Sequence, residues 1–330
     1  MHDNHDEVVP VNSPDDRWMS SYEEWERSAA EARRERRQLA ARTRRRHQRR
    51  LLAVAMVFAA ALVFVVAEAV GLRHHHGASI SPGDKRSPVP TGQRAGKLSR
   101  AARERHRIDR VLSYTPFIRE GRPRKREIAL TFDDGPGPYT PAIMKILREH
   151  HTKATFFEVG LMLTSFNHST TEQARAGYAI GDHTYDHPHM ETLTRDQQRA
   201  ELDDAAAGLR RYGVPYPRLF RPPAGSFDRD TLDLLKRRRM LMVLWSTDTE
   251  DYTDPGANVI AERALAGAHP GAIILLHDAG GDRSQTVAAL PQIIRGLRKR
   301  HLRPVTVPKL VLDDPPPRHQ QVPWDLAGGS

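Results

Sequence analysis

From residue 127 onward the chain alternates between short apolar runs and longer segments that carry helix signals. The runs are EIALTF (127–132), ATFFEVG (154–160), YAIG (178–181), RLF (218–220), LMVLW (241–245), AIILL (272–276) and RPVTV (303–307), seven in all. Between them, Thr140 reads as a helix N-cap with Pro141 at the first helical position. Thr194 and Gln197 read as a capping box, with Gly213 near that helix's end, and Asp228 reads as another cap. Strands joined through whole helices must cross over rather than turn back, which lays them parallel. The pattern predicts an α/β fold, and by itself it fits a wound barrel or an open sheet equally. No internal repeat is visible.

The residues that follow the runs are not random. Asp133 and Asp134 follow the first run, His183 and His187 follow YAIG, and Arg221 follows RLF. Asp248 and Asp251 follow LMVLW, and His277 and Asp278 follow AIILL. In parallel α/β folds the C-terminal edge of the strands carries the active site. Each feature alone has an ordinary explanation. Asp-Asp-Gly is a common turn, two histidines four apart are more often not a metal site, and an Arg before Pro-Pro is commonly a surface residue. Five strands delivering ionisable groups to one edge change the odds. The chain has no cysteine, so any metal must be held by His, Asp or Glu. Two histidines and one carboxylate form a standard three-ligand set that leaves a position open for water.

At this point five stretches carry a resemblance. TFDDGP (131–136), HTYDH (183–187), RPPAG (221–225), DTEDY (248–252) and LLHD (275–278) are similar, in this order, to the motifs of the polysaccharide deacetylases. That family is also called carbohydrate esterase family 4, or the NodB-homology domain. The resemblance covers residues 124–313 and implies a distorted, incomplete (β/α)7-type barrel. It implies metal-dependent removal of N- or O-acetyl groups from polysaccharides. By motif position Asp134, His183 and His187 resemble the metal ligands, with zinc the first expectation and cobalt or another divalent ion the alternative. Asp133 resembles the base that takes a proton from the attacking water, and Arg221 the residue that holds it. His277 resembles the acid that protonates the leaving amine, and Asp251 its partner. Leu275 resembles the lining of the acetyl pocket. The backbone N–H of Ala224 is expected to face the developing oxyanion. Three departures bear on substrate preference. Ala224 stands where an aromatic residue is usual, Tyr252 replaces the commoner Trp, and Asp182 replaces a frequent Asn.

Charge and hydropathy divide the rest. The formal net charge of +10 sits almost wholly in residues 73–127, which carry 15 basic and 5 acidic residues, whereas 128–330 carry 24 and 25. A basic segment beside a neutral globular part argues against a nucleic-acid partner. Leu51–Ala67 is 17 residues long without a charge, and with Glu68 and AVGL the run reaches residue 72. About 20 apolar residues span a bilayer. Ten arginines between residues 33 and 50 precede the run, so the positive-inside rule puts the N-terminus in the cytoplasm and the globular part outside. Ala67-Glu68-Ala69 resembles a signal cleavage site, but a charged leader of this length favours an uncleaved anchor. The expected organisation is a charged cytoplasmic arm (1–50), a transmembrane signal anchor (51–72), a basic disordered linker (73–123), the catalytic domain (124–313) and a tail (314–330). The basic segments could meet anionic lipid or wall polymer, and the expected substrate is an N-acetylated polysaccharide, peptidoglycan first. Chitin-like polymers, acetylxylan and a non-catalytic carbohydrate-binding module are the alternatives.

Overall fold

A computed structural model of the chain describes residues 99–318 and 320–323. The apolar run 51–72 and the charged arm before it lie outside these. Among the described residues no helix is long and apolar enough to cross a membrane.

The compact unit runs Lys97–Ser330, so it begins inside the basic stretch read as linker. There α1 (Arg100–Leu112) hides Ile108 and Val111 among its arginines and buries both. It leads to β1 (Phe117–Ile118), a strand that the composition did not suggest. The series then continues with β2 (Glu127–Gly135), α2 (Thr140–Glu149), β3 (Thr155–Glu158), α3 (Asn167–Arg175), β4 (Ala179–Asp182) and α4 (Arg195–Arg211). It closes with β5 (Leu219–Phe220), α5 (Arg229–Arg238), β6 (Leu241–Val243), β7 (Thr247–Asp248), α6 (Ala257–Ala266), β8 (Ile273–His277), α7 (Ser284–Lys299), β9 (Arg303–Val305) and α8 (Val307–Asp313). Thr140 is the first residue of α2 rather than its cap. Its Oγ1 accepts from the N–H of Gly137 and donates to Asp278. The capping boxes at Thr194 and Asp228 form, although at Asp228 the reciprocal partner is Thr231.

Every strand pairing is parallel, in the order β1-β6-β5-β4-β3-β2-β8-β7, with β9 beside the start of β2. Among the described residues the sheet curls into an incomplete α/β barrel, with nine strands rather than the seven read from the sequence. The two extra strands, β1 and β7, are two-residue pieces too short for any periodicity to reveal.

Alternation along the strands sets an inner apolar cluster against outward-facing ones. Ala129, Phe157, Leu219, Leu241, Val243 and Ile273 form an inner cluster that Val307, Leu310 and Val311 of α8 join, together with Ile108 and Val111 of α1. Ile128, Leu130, Phe132, Phe156, Ile274 and Leu276 point outward against α2, α6 and α7. Apolar burial of this kind contributes roughly 25 cal/mol per Å². It holds the strands rigid up to their C-terminal ends, where the polar residues begin. Beyond α8 the expected tail is partly packed, with Asp314 buried and accepting the N–H of Lys125.

Candidate active site

The site starts from an irregularity in β2. Neighbours in a regular strand point to opposite faces, so Asp133 and Asp134 could not face one centre. The β2–β3 register shifts between Phe132 and Gly135, and Asp134 takes a φ of 71°. Such breaks re-aim side chains. Both carboxylates now face His183, whose Nε2 lies 3.7 Å from Asp133 Oδ2 and 3.4 Å from Asp134 Oδ1. His187 Nε2 lies 3.0 Å from the same Asp134 oxygen. Gly280, at φ 77°, packs against this carboxylate, and a Cβ there would come within 2.2 Å of Asp134 Oδ2.

The donor chemistry suits a cation. Asp134 Oδ1 is buried without a hydrogen-bond partner, and it converges with one nitrogen from each histidine within 4.8 Å. His183 Nδ1 lies 2.7 Å from the carbonyl oxygen of Arg221. A carbonyl only accepts, so Nδ1 carries the proton and Nε2 presents its lone pair to the cluster. These residues fit a divalent cation with an open side, because the His187 side chain is 40% exposed whereas that of His183 is 2%.

Arg221 follows β5 and is wholly buried. Its Nη1 donates to Asp133 Oδ1 at 2.7 Å and to Thr131 Oγ1 at 2.9 Å. Its Nε and Nη2 donate to the carbonyls of Val243 and Leu244. The guanidinium lies 4.3 Å from the ring centre of Phe157 and 5.7 Å from that of Trp245. A planar, permanently charged fork is the one side chain that meets all of these at once.

On the neighbouring strand, His277 ends β8 level with Asp133. Its Nδ1–H donates to Asp251 Oδ1 at 2.7 Å. Asp251 Oδ2 accepts the backbone N–H of His277 and the hydroxyl of Thr286. Burial alone would lower the imidazole's pKa, but Asp251 first, then Asp134 and Asp133, raise it to about 9. Burial likewise opposes the charge on Asp251, and His277 with Thr286 outweighs it, leaving that carboxyl below its ordinary value. Tyr252 is 47% exposed and lies edge-on, 5.4 Å from the His277 ring. Leu275, two residues before His277 on the same strand, is buried, and Ala224, at φ 52°, is exposed.

The strand ends therefore assemble Asp133, Asp134, His183, His187, Arg221, Asp251 and His277 around one opening. Asp182, the departure beside His183, accepts the N–H of Thr184 at 2.8 Å. Burial pushes its carboxyl well above the usual range, so the fold favours its neutral form there, as it would an Asn. Thr131, Thr286, Phe157 and Trp245 support the site and were not singled out in the sequence. Thr286 had a usable signal, since it stands in the first turn of the helix that follows LLHD.

The chain is also similar to known proteins. Residues 120–243 match the sequence pattern of the family described as polysaccharide deacetylase. A peptidoglycan-N-acetylglucosamine deacetylase of Bacillus cereus is 37% identical over 187 residues, which is 56% of this chain and 87% of that relative. The chain belongs to the polysaccharide deacetylase family. A chitooligosaccharide deacetylase of Azorhizobium caulinodans is 34% identical over 186 residues, 52% of this chain and 89% of the relative. A solved peptidoglycan N-acetylglucosamine deacetylase superposes with a TM-score of 0.58 at 34% identity, covering 62% of this chain and 95% of that one. As a deacetylase of this generally metal-dependent family, the protein has in Asp134, His183 and His187 its candidate cation site.

Proposed function

We propose that the protein is a membrane-anchored enzyme that removes acetyl groups from N-acetylated cell-wall polysaccharide, peptidoglycan first, at a cation site formed by Asp134, His183 and His187. The observation that carries the proposal is the pairing of that site with a held carboxylate and a held imidazole on either side. Sugar binding alone requires neither, which disfavours a non-catalytic module. The two imidazole nitrogens and one carboxylate oxygen suit zinc, with cobalt or another divalent ion as substitutes. Such an ion supplies Lewis acidity, polarising the acetyl carbonyl and making water a nucleophile at neutral pH.

The chain's own groups do the rest. Arg221 engages Asp133 Oδ1 and leaves Oδ2 facing the site. Asp133 takes the proton of the attacking water. The backbone N–H of Ala224 offers a donor to the oxyanion, and Leu275 lines the space for the acetyl methyl. His277, its Nδ1 committed to Asp251, donates from Nε2 to the departing amine nitrogen. An amine leaves poorly unless protonated, so the acid is required. Tyr252 offers an exposed aromatic wall to a sugar ring.

The role of His277 has a signed consequence. Activity needs its protonated form, so kcat/KM falls as pH rises through its pKa, at or below about 9, since a bound cation lowers it further. Asp251→Asn removes the largest raising influence and moves this alkaline limb to lower pH. The check is kcat/KM against pH for both proteins, and a limb unmoved in Asp251→Asn would remove His277 from the role.

Location supports peptidoglycan: the 17-residue uncharged run after an arginine cluster reads as a single span with the N-terminus cytoplasmic and the enzyme outside. The basic segments suit anionic lipid or wall polymer. The similarity to a chitooligosaccharide deacetylase favours short chitin-like chains as the second reading, and Ala224 leaves that side of the opening without an aromatic wall. Incubating the zinc-loaded chain with peptidoglycan fragments and with chitooligosaccharides, and scoring acetyl loss by mass spectrometry, tests the reading. Faster loss from peptidoglycan is expected. Loss confined to chitooligosaccharides would replace the substrate, and loss from neither would refute the proposal.

A further inference from the structure

The loop that carries both candidate histidine ligands is held in an unusual way. The N–H of His183 donates to the carbonyl of Glu158, and from there to His187 side chains accept the N–H groups. The N–H of Thr184 donates to Asp182 Oδ1, and that of His187 to Thr184 Oγ1. The N–H groups of Tyr185 and Asp186, 2.9 and 2.8 Å away, both donate to a single oxygen, Oε2 of Glu201. Glu201 stands in the middle of α4, outside the loop and its strand, and touches none of the candidate ligands. On the opposite side the N–H groups of Gly160 and Leu161 donate to the carbonyls of Thr184 and Tyr185. At Gly160 the packing is so close that a Cβ would lie 2.6 Å from the Tyr185 ring. The loop needs this holding because Thr184 and His187 both adopt positive φ, 69° and 57°, a conformation that costs a non-glycine residue roughly 1 kcal/mol or more.

We infer that Glu201 is a positioning residue for the cation site: one carboxylate oxygen, by accepting two successive N–H groups, fixes the turn that aims His183 and His187 at Asp134. The inference deepens the metal reading above and rests on it. Glu201 reaches the loop from another element of the fold, and its one oxygen serves two successive N–H groups. Removing it takes one acceptor from two successive N–H groups between the ligands and leaves a strained turn free to relax.

The test is zinc affinity, measured by competition with a chromophoric chelator on the full chain and three variants, together with the melting of each metal-free protein. Glu201→Gln keeps an oxygen at the same reach and is expected to bind zinc nearly as the parent does. Glu201→Leu removes the acceptor, and Glu201→Asp withdraws it by one methylene. Both are expected to weaken binding about 10- to 100-fold, the usual range for groups that orient metal ligands, while still melting cooperatively without metal. Should Glu201→Leu fail to fold, Glu201→Asp carries the comparison. A folded Leu or Asp variant that binds zinc as tightly as the parent would overturn the inference. So would a Gln variant as weak as Leu, because charge rather than the acceptor would then matter. A parent that takes up no zinc would overturn the metal reading itself, and the inference with it.

Discussion

Asp133→Asn is expected to keep one equivalent of zinc while kcat falls by about 10²- to 10⁴-fold, the span usually lost with a general base. The substitution preserves shape and leaves Asp134, His183 and His187 untouched. What it removes is the ability to accept a proton at Oδ2, the oxygen 3.7 Å from His183 Nε2. It also leaves the buried Arg221 guanidinium without its carboxylate, so the variant should melt earlier and kinetics belong well below that transition. Metal content by atomic absorption and single-substrate kinetics separate the two effects. An Asn variant that turns over within tenfold of the parent would place the base elsewhere.

Arg221→Leu is expected to destabilise the metal-free protein by about 3–5 kcal/mol, the range for breaking a buried ion pair from one side. The guanidinium donates to Asp133, Thr131 and the carbonyls of Val243 and Leu244, and its faces meet Phe157 and Trp245. Leucine fills part of the volume and satisfies none of the four acceptors, one of them a buried carboxylate. Arg221→Lys should rescue little, because one ammonium cannot reach acceptors arranged for a planar fork. Urea unfolding followed by circular dichroism measures the loss, and a change under about 1 kcal/mol would mean that Asp133 finds another partner.

The same two residues show how much the sequence disclosed. Asp133 and Arg221 were legible because each stands directly after an apolar run, and a run's end is where a parallel strand delivers side chains to the open edge. The same holds for His183, His187 and His277. The φ of 71° at Asp134 was not legible: Asp-Asp-Gly-Pro reads as an ordinary turn, and only the neighbouring strand's register reveals the shift. That α1 belongs to the globular part was not legible, because Ile108 and Val111 sit among arginines, so composition spoke louder than spacing. Glu201 was invisible for a related reason. In AELDDAAAG one acid of a polar helix looks like the next, and what marks it is the loop folded against it. β1 and β7 are two residues long, below the length at which periodicity means anything.

The most direct measurement is acetate released from peptidoglycan fragments by the chelator-stripped chain as zinc is added back, run beside His187→Ala. Release should be absent without metal, rise with zinc, and level off at one equivalent. His187→Ala, with one of three candidate ligands gone, should show low metal content and low activity together. Undiminished release by the stripped protein, or by a metal-free His187→Ala, would contradict a metal-dependent deacetylase built on Asp134, His183 and His187.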